Sequence, residues 1–593
     1  MTSLNGFRFH LAIGALLVPF MHACPAFALD GGILRLNTFN DWKAFEVISQ
    51  NDNPPGDGFS YAMPGIFDGA GAWLVDPFTL RVLVNHETGD ATISEVDLDL
   101  PALQMAVDSV LSTGNSGGIR FVFSARQAYD RWSADGGASW VGTSSAANTS
   151  FFRFCSGQSY APDTYGVDRG FVDHIYITGE ETGGGRLFAV DSVKRDFYQL
   201  SGTVGSATGG IGGMPFDAWE NAALLDTGET DHVALLLSPD GGTRTMQLYI
   251  GEKGRDANGA VSNSFLARNG LAYGSWYYLN AAYPNLGNTN SGTFDTTAVG
   301  ALSSDKLEDI DTSPADPSRA ILADETSGVF TFDFDLVFNS GFDADASGFA
   351  ITMVSNTSGG ANSLNGPDNI EWSDATSFGA INYSEGLVFV NEDTSSGEIW
   401  QMQPDGSEQI LIANTTVAAE STGILDISSL LGYLPASILI TNNQGFPSSM
   451  SVLINPAASV AAPPVDELAE CRLENDLLRD ENEALRIQVD ELVSDNQSCN
   501  VSLDQALGEK ERLATDNKAL NTNIEKLRAE IDALKSTLDS DADGVPDISD
   551  QCPDTFRWAR KIDAEGCARY QRAWSRFLQA RLDGPGTVHR GYQ

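Results

Sequence analysis

The chain is 593 residues long, carries a formal net charge of −45 and draws 42% of its residues from the hydrophobic set. That length exceeds one hydrophobic core, and that hydrophobicity excludes a wholly disordered chain, so several globular domains are expected. The acidity disfavours nucleic acid and anionic membrane as partners and suits a protein that recruits divalent cations, although solubility alone would also account for it.

At the start, Arg8 and His10 precede an apolar run at 11–20 and the small residues of Ala26-Phe27-Ala28. This reads as a secretory signal at 1–28, with the mature chain opening at Leu29. Cys24 raises a lipoprotein alternative, which Met21-His22-Ala23 before it fits poorly. No later apolar run approaches the ~20 residues of a membrane helix. The expectation is an exported protein without a transmembrane segment, in the periplasm, at the cell surface or outside the cell. Cys155, Cys471, Cys499, Cys552 and Cys567 follow the signal, and an odd number in an oxidising compartment calls for an explanation.

From 29 to 459 short apolar runs alternate with Gly, Asn, Asp and Ser. The runs at 80–84, 174–178, 233–237, 246–250, 320–323, 386–390 and 437–441 are rich in β-branched and aromatic residues and read as strands. Helical patterning is confined to 101–111 and 125–134. A region of short strands without long helices fits a propeller, a β-helix or stacked sandwiches, and no sharp repeat period separates them. The fold class expected is mainly β, with a β-propeller of degenerate blades preferred.

A small-residue, Pro-containing linker at 460–465 ends this region, and composition then changes to Glu, Leu, Asp and Asn. Across 466–538 a seven-residue register holds Cys471, Leu478, Leu485, Leu492, Cys499, Ala506, Leu513, Leu520, Leu527 and Leu534 on one seam. Asn475, Asn482, Val489, Asn496, Leu503, Lys510, Asn517, Ile524 and Ile531 stand three residues before the seam positions from Leu478 on. Leu at d with Ile, Val and occasional Asn at a favours two parallel strands, so the partner expected is a second copy of the chain. Cys471 and Cys499 then face their own copies, as interchain disulfides or as small core residues.

Next, Asp539, Asp541, Asp543, Asp547 and Asp550 place carboxylates at positions 1, 3, 5, 9 and 12 of a loop. Gly544 falls at 6, and Val545 offers its carbonyl at 7. This spacing wraps hard oxygen ligands around calcium. With Gln551-Cys552-Pro553-Asp554 and Asp563-Ala564-Glu565-Gly566-Cys567, the stretch 539–567 resembles a thrombospondin type 3 repeat, a resemblance that implies a Cys552–Cys567 disulfide. Beyond it, 568–593 is a tail with Arg569, Arg572, Arg576 and Arg581 among Tyr570, Trp574, Phe577 and Leu578. It fits either a basic amphipathic helix against an acidic surface or a solvated end.

No nucleophile elbow, phosphate-cradling loop, zinc-protease helix or dinucleotide fingerprint occurs. Instead, carboxylates follow the predicted strands: Asn85-His86-Glu87, Gly179-Glu180-Glu181, Trp219-Glu220-Asn221, Glu308-Asp309, Pro367-Asp368-Asn369 and Asn391-Glu392-Asp393. Singly each is an ordinary turn acid. Together they can converge at the mouth of a propeller channel, held by metal ions, with Cys155 of Phe154-Cys155-Ser156-Gly157 as a thiolate ligand.

The region from 80 to 455 resembles the PhoX-type alkaline phosphatases. The resemblance rests on Val82-Leu83-Val84-Asn85-His86-Glu87, Phe154-Cys155-Ser156-Gly157, Thr178-Gly179-Glu180-Glu181, Lys306-Leu307-Glu308-Asp309-Ile310 and Pro367-Asp368-Asn369-Ile370. It implies a six-bladed propeller and a phosphate-ester substrate held by iron and calcium. It also implies Glu87, Cys155, Glu181, Glu220 and Glu308 as metal ligands, with Glu180 and Asp309 as further candidates from the same segments. Cys155 and Glu181 are the candidate catalytic residues. Two departures stand out: the family's Thr-Pro-Trp-Gly run after the cysteine is missing, and its Thr-Cys-Glu-Glu is Thr-Gly-Glu-Glu here. An exported metal-dependent phosphomonoesterase is the reading this favours. The alternative is a non-catalytic calcium-binding surface or adhesion protein that displays a propeller on a stalk.

Overall fold

A computed structural model describes residues 34–582, apart from 55–60, 144–150, 203–204, 207–213, 289–290, 358–362, 462–511, 535–537, 541, 548, 553 and 556–558. The signal reading, Cys471, Cys499 and most of the heptad seam lie outside the described residues. The chain divides into two compact units between Ala462 and Pro463.

The first unit is built of antiparallel sheet. Among the described residues a four-stranded array recurs six times, each entered by a strand that touches the next array's first strand. These entry strands are Phe67–Asp76, Phe154–Tyr160, Trp219–Leu225, Leu307–Thr312, Pro367–Trp372 and Ser421–Asp426. Each packs against its neighbours in turn and the last packs on the first, so the strands close a ring around a channel. The unit is therefore mainly β and propeller-like. The strand Lys43–Ser49 pairs with Ser449–Ile454 and completes the sixth array, which joins the two ends of the region in one sheet.

Buried side chains follow the same plan. Six apolar clusters occupy the seams between neighbouring arrays, such as Leu83, Tyr176 and Phe188 between the first two and Ile177, Leu235 and Leu237 between the next two. A strand covered on both faces reads as a continuous apolar run rather than as alternation. The runs expected at 80–84, 174–178, 233–237, 320–323, 386–390 and 437–441 all fall in the second strands of the arrays, the most deeply covered ones.

The helix expected at 101–111 forms as Leu100–Thr113. The Asp99 carboxylate caps Ala102 N–H, and Gly114, at φ 79°, accepts the left-handed turn that ends it. The stretch 125–134 is not helical: Val122–Gln127 and Arg131–Ser133 are strands. Val122–Gln127 is the outer strand of the first array, and its ladder to Thr92–Asp99 and the Arg126–Glu95 ion pair at 2.6 Å override its local preference.

The second unit contains a helix over 512–534 and a small module at 538–582. In the helix Leu513, Leu520, Leu527 and Leu534 are more than half exposed, and Ile524 and Ile531 are also in contact with solvent. In the module Cys552 and Cys567 form a disulfide, and Arg569–Leu582 is helical.

Candidate metal centre

The register of the arrays builds the site. In each, the first residue of the entry strand pairs with the end of the second strand: Phe67 with His86, Phe154 with Glu180, Trp219 with Pro239, Leu307 with Asp324, Pro367 with Glu392 and Ser421 with Asn443. The register then slips within the next three residues of every entry strand. A bulge bends the strand and re-aims its side chains. The residue just inside the pair is Asp68, Cys155, Glu220, Glu308, Asp368 or Thr422, and the one just beyond it is Glu87, Glu181, Asp240, Glu325, Asp393 or Gln444. All but Thr422 and Glu325 line one cavity of about 50 Å³ at the channel mouth. Glu420, one residue before the sixth entry strand, also lines it.

Buried amides hold these bulges in place. Asn85 Nδ2 donates to the carbonyls of Cys155 (2.7 Å) and Ser156 (3.0 Å) and to Thr178 Oγ1. Asn369 Nδ2 donates to Ser156 Oγ, while its Oδ1 accepts from Thr422 Oγ1 and Gly423 N–H. Asn442 Nδ2 donates to the Asp68 carbonyl and so ties the sixth array to the first. Close backbone approach is also required. A Cβ on Gly69 would lie 2.5 Å from Gly157 N, and one on Gly157 would lie 2.4 Å from the Tyr176 hydroxyl.

Within the cavity, Cys155 Sγ donates to Glu181 Oε2 at 3.2 Å. Glu220 Oε1 accepts from Ser156 Oγ at 2.6 Å. Gln444 Nε2 donates to Asp68 Oδ2 at 2.9 Å and to Glu87 Oε2 at 2.8 Å. Two cations enter from the residue directly before an entry strand. Arg153 pairs with Glu87 and with Glu181 (2.7 Å). Lys306 Nζ lies 2.9 Å from Glu308, 3.0 Å from Asp240 and 3.2 Å from Glu325.

Two cations cannot balance nine carboxylates and a thiol. Burial, reinforced by neighbouring carboxylates, pushes Asp68, Glu220, Glu308 and Asp368 well above the usual carboxylate range. Burial raises Glu181 to about 7 and Glu420 to about 8, and it also pushes the Cys155 thiol up, with Glu220 the largest charge acting on it. Lys306 is held protonated because Glu308 and Asp240 outweigh its burial.

Three overlapping groups have ligand atoms within 4.8 Å of one another: Asp68, Glu87 and Cys155; Cys155, Glu181 and Glu220; Glu220, Glu308 and Asp368. Cys155 and Glu220 each belong to two of these groups. The donor set is hard oxygen throughout except for one soft sulfur, and it fits metal ions.

The structure thus brings together Glu87, Cys155, Glu181, Glu220 and Glu308. Glu180 and Asp309 are not part of this centre. Glu180 turns to the other side of its strand, where it pairs with Arg186 and accepts from Phe152 N–H. Asp309 accepts from the amides of Ile310 and Ile370 and from Asn221 Nδ2, and it lines a separate cavity. In both pairs of adjacent acids, side chains at successive strand positions point to opposite faces, so only one member can enter the cavity. His86 hydrogen-bonds Ser94 Oγ and the Gly65 carbonyl, and burial lowers it to about 4. Asp68, Asp240, Glu420 and Arg153 join the site without having been singled out by the sequence, and Lys306 entered the sequence reading only within a longer segment. Their signal is positional, one step beyond or before a paired strand end.

In the second unit, Asp539 accepts from Asp543 N–H and Gly544 N–H, Asp543 from Val545 N–H, Asp547 from Ser540, and Asp550 from Cys552 N–H. Asp541 lies outside the described residues.

No family model matches the chain. No curated protein matches it either. Among solved structures it is similar to Pseudomonas fluorescens PhoX in complex with vanadate, a transition state analogue. The identity is 12%, over 71% of this chain and 96% of that one, with a TM-score of 0.47. It is also similar to the Dos1 propeller, at 8% identity over 65% of this chain and 67% of that one, with a TM-score of 0.27.

Proposed function

We propose that the protein is an exported, metal-dependent phosphomonoesterase whose first unit is a six-bladed propeller, related to the PhoX-type alkaline phosphatases. The observation that carries this reading is the ring of carboxylates around Cys155, too acidic for its two cations. The motif resemblance at Cys155, Glu181 and Glu308 adds to it. Calcium suits the all-oxygen positions, and iron suits those that share the thiolate. When bound, such ions draw charge from phosphoryl oxygens and activate an oxygen nucleophile. Asp68, Glu87, Cys155, Glu181, Glu220, Glu308 and Asp368 would hold such ions, and Asn85 fixes the Cys155 backbone. Arg153 and Lys306 keep fixed positive charge at the cavity wall, where a phosphate ester approaching this acidic surface needs it.

In the same reading, the loop at 539–550 binds calcium, and the helix through 512–534 pairs with a second copy along its exposed seam. The test is chelation followed by reconstitution, with p-nitrophenyl phosphate hydrolysis and bound metal both measured. Turnover restored by iron with calcium is the expected result. Stoichiometric calcium without iron and without turnover would leave the display protein as the correct reading.

A further inference from the structure

The charge of this chain is not evenly spread. Residues 556–593 hold eight Arg and Lys against three Asp and Glu, in a chain of net charge −45. Their one described helix, Arg569–Leu582, is amphipathic in a particular sense. Arg569, Arg572 and Arg576 recur at spacings of three and four, which puts them on one side. Tyr570 and Trp574 are one turn apart on the opposite side, and the sequence continues that spacing with Phe577.

Contacts decide which side the module covers. Arg572 pairs with Asp563 and Glu565 at 3.0 Å each and donates to Gln551 Oε1, while Gln571 Oε1 accepts from Thr555 Oγ1 and Ala568 N–H. Tyr570 is 47% exposed and Trp574 is 62% exposed. Arg569 and Arg576 form no ion pair among the described residues. The helix is therefore fastened by Gln571 and Arg572, exposes Arg569 and Arg576 on the arginine side and presents Tyr570 and Trp574 on the other.

We infer that this helix is a docking surface for an anionic lipid bilayer, with the basic residues meeting headgroups and Trp574 and Tyr570 entering the interface. Aromatic rings with a polar edge settle at that depth, and an Arg-rich helix of low overall hydrophobicity lies in the plane of the surface rather than across it. The acidic remainder of the chain is repelled by the same headgroups, so attraction is confined to this basic segment. An acidic face of another copy would satisfy the arginines but offers the aromatic pair no apolar acceptor.

The experiment is co-sedimentation of the full chain with phosphatidylcholine vesicles, with and without phosphatidylglycerol, in chelator and at two salt concentrations. Binding to the anionic vesicles alone, weakened by salt, is expected. Affinity should fall about fivefold for each arginine in Arg569→Gln and Arg576→Gln. Trp574→Ser should weaken binding while leaving the far-ultraviolet spectrum and the Cys552–Cys567 disulfide intact. Binding that needs calcium and ignores these variants would overturn the proposal. So would self-association without lipid that the same variants abolish, which would assign the helix to an acidic face of a second copy.

Discussion

At the scale of single residues, adjacent acids have opposite fates. Glu181 and Glu308 line the cavity while Glu180 and Asp309 do not, and substitution separates the two sets. Under the proposed function, Cys155→Ser is expected to abolish thiolate-dependent absorbance of the metal-loaded protein and to lower phosphatase turnover by about 100-fold, the upper range for disturbing a metal's surroundings. Glu180→Gln should leave the bound metal unchanged and instead cost roughly 3 kcal/mol of stability, because Arg186 loses a buried partner. Metal analysis and thermal melts of the two variants distinguish these roles. Loss of metal from Glu180→Gln, or full metal in Cys155→Ser, would overturn these assignments.

Among the elements, the departure at Thr178-Gly179-Glu180-Glu181 has a packing explanation. A Cβ at Gly179 would stand 2.4 Å from Trp219 Cβ and 2.6 Å from the Trp219 carbonyl, in the neighbouring entry strand. With backbone on the far side, neither can give way cheaply. Position 179 is therefore closed to a side chain by the neighbour it packs on. Gly179→Ala should destabilise the protein by about 2 kcal/mol through overpacking, read as a lower melting temperature. Wild-type stability in that variant would show that the entry strands have room to part.

For the whole molecule, the acidic centre couples stability to pH. In metal-free protein the raised carboxyls bind more protons folded than unfolded. The stability these groups contribute should then be fully present below the ordinary value of 4.5 and be lost as pH rises through about 7 and 8, where Glu181 and Glu420 ionise. Bound cations replace those protons, so metal affinity should rise over the same range. Melting curves at pH 5 and pH 8, with chelator and with metals, check both signs. Under the proposed pairing of the helix at 512–534, Leu520→Asp or Leu527→Asp should turn a dimer into a monomer in sedimentation, with phosphatase turnover unchanged. The charge expectation also needs refinement at this scale: net acidity speaks for the chain as a whole but hides a basic terminal segment.

Much of the β framework is legible in the sequence because the second strand of each array is buried on both faces and reads as an apolar run. Entry strands are not legible that way. They face the channel, carry polar side chains, and begin at 67, 154, 219, 307, 367 and 421, intervals too uneven to register as a repeat. The sequence by itself determined that short strands dominate up to about 459, that a different composition follows, and that carboxylates recur after the predicted strands. Only the tertiary structure decided which carboxylates meet, since that depends on cross-strand register and on a bulge in each entry strand. Asp68, Asp240 and Glu420 belong with Cys155 because closure of the ring carries them there, across as many as 352 positions of chain between Asp68 and Glu420.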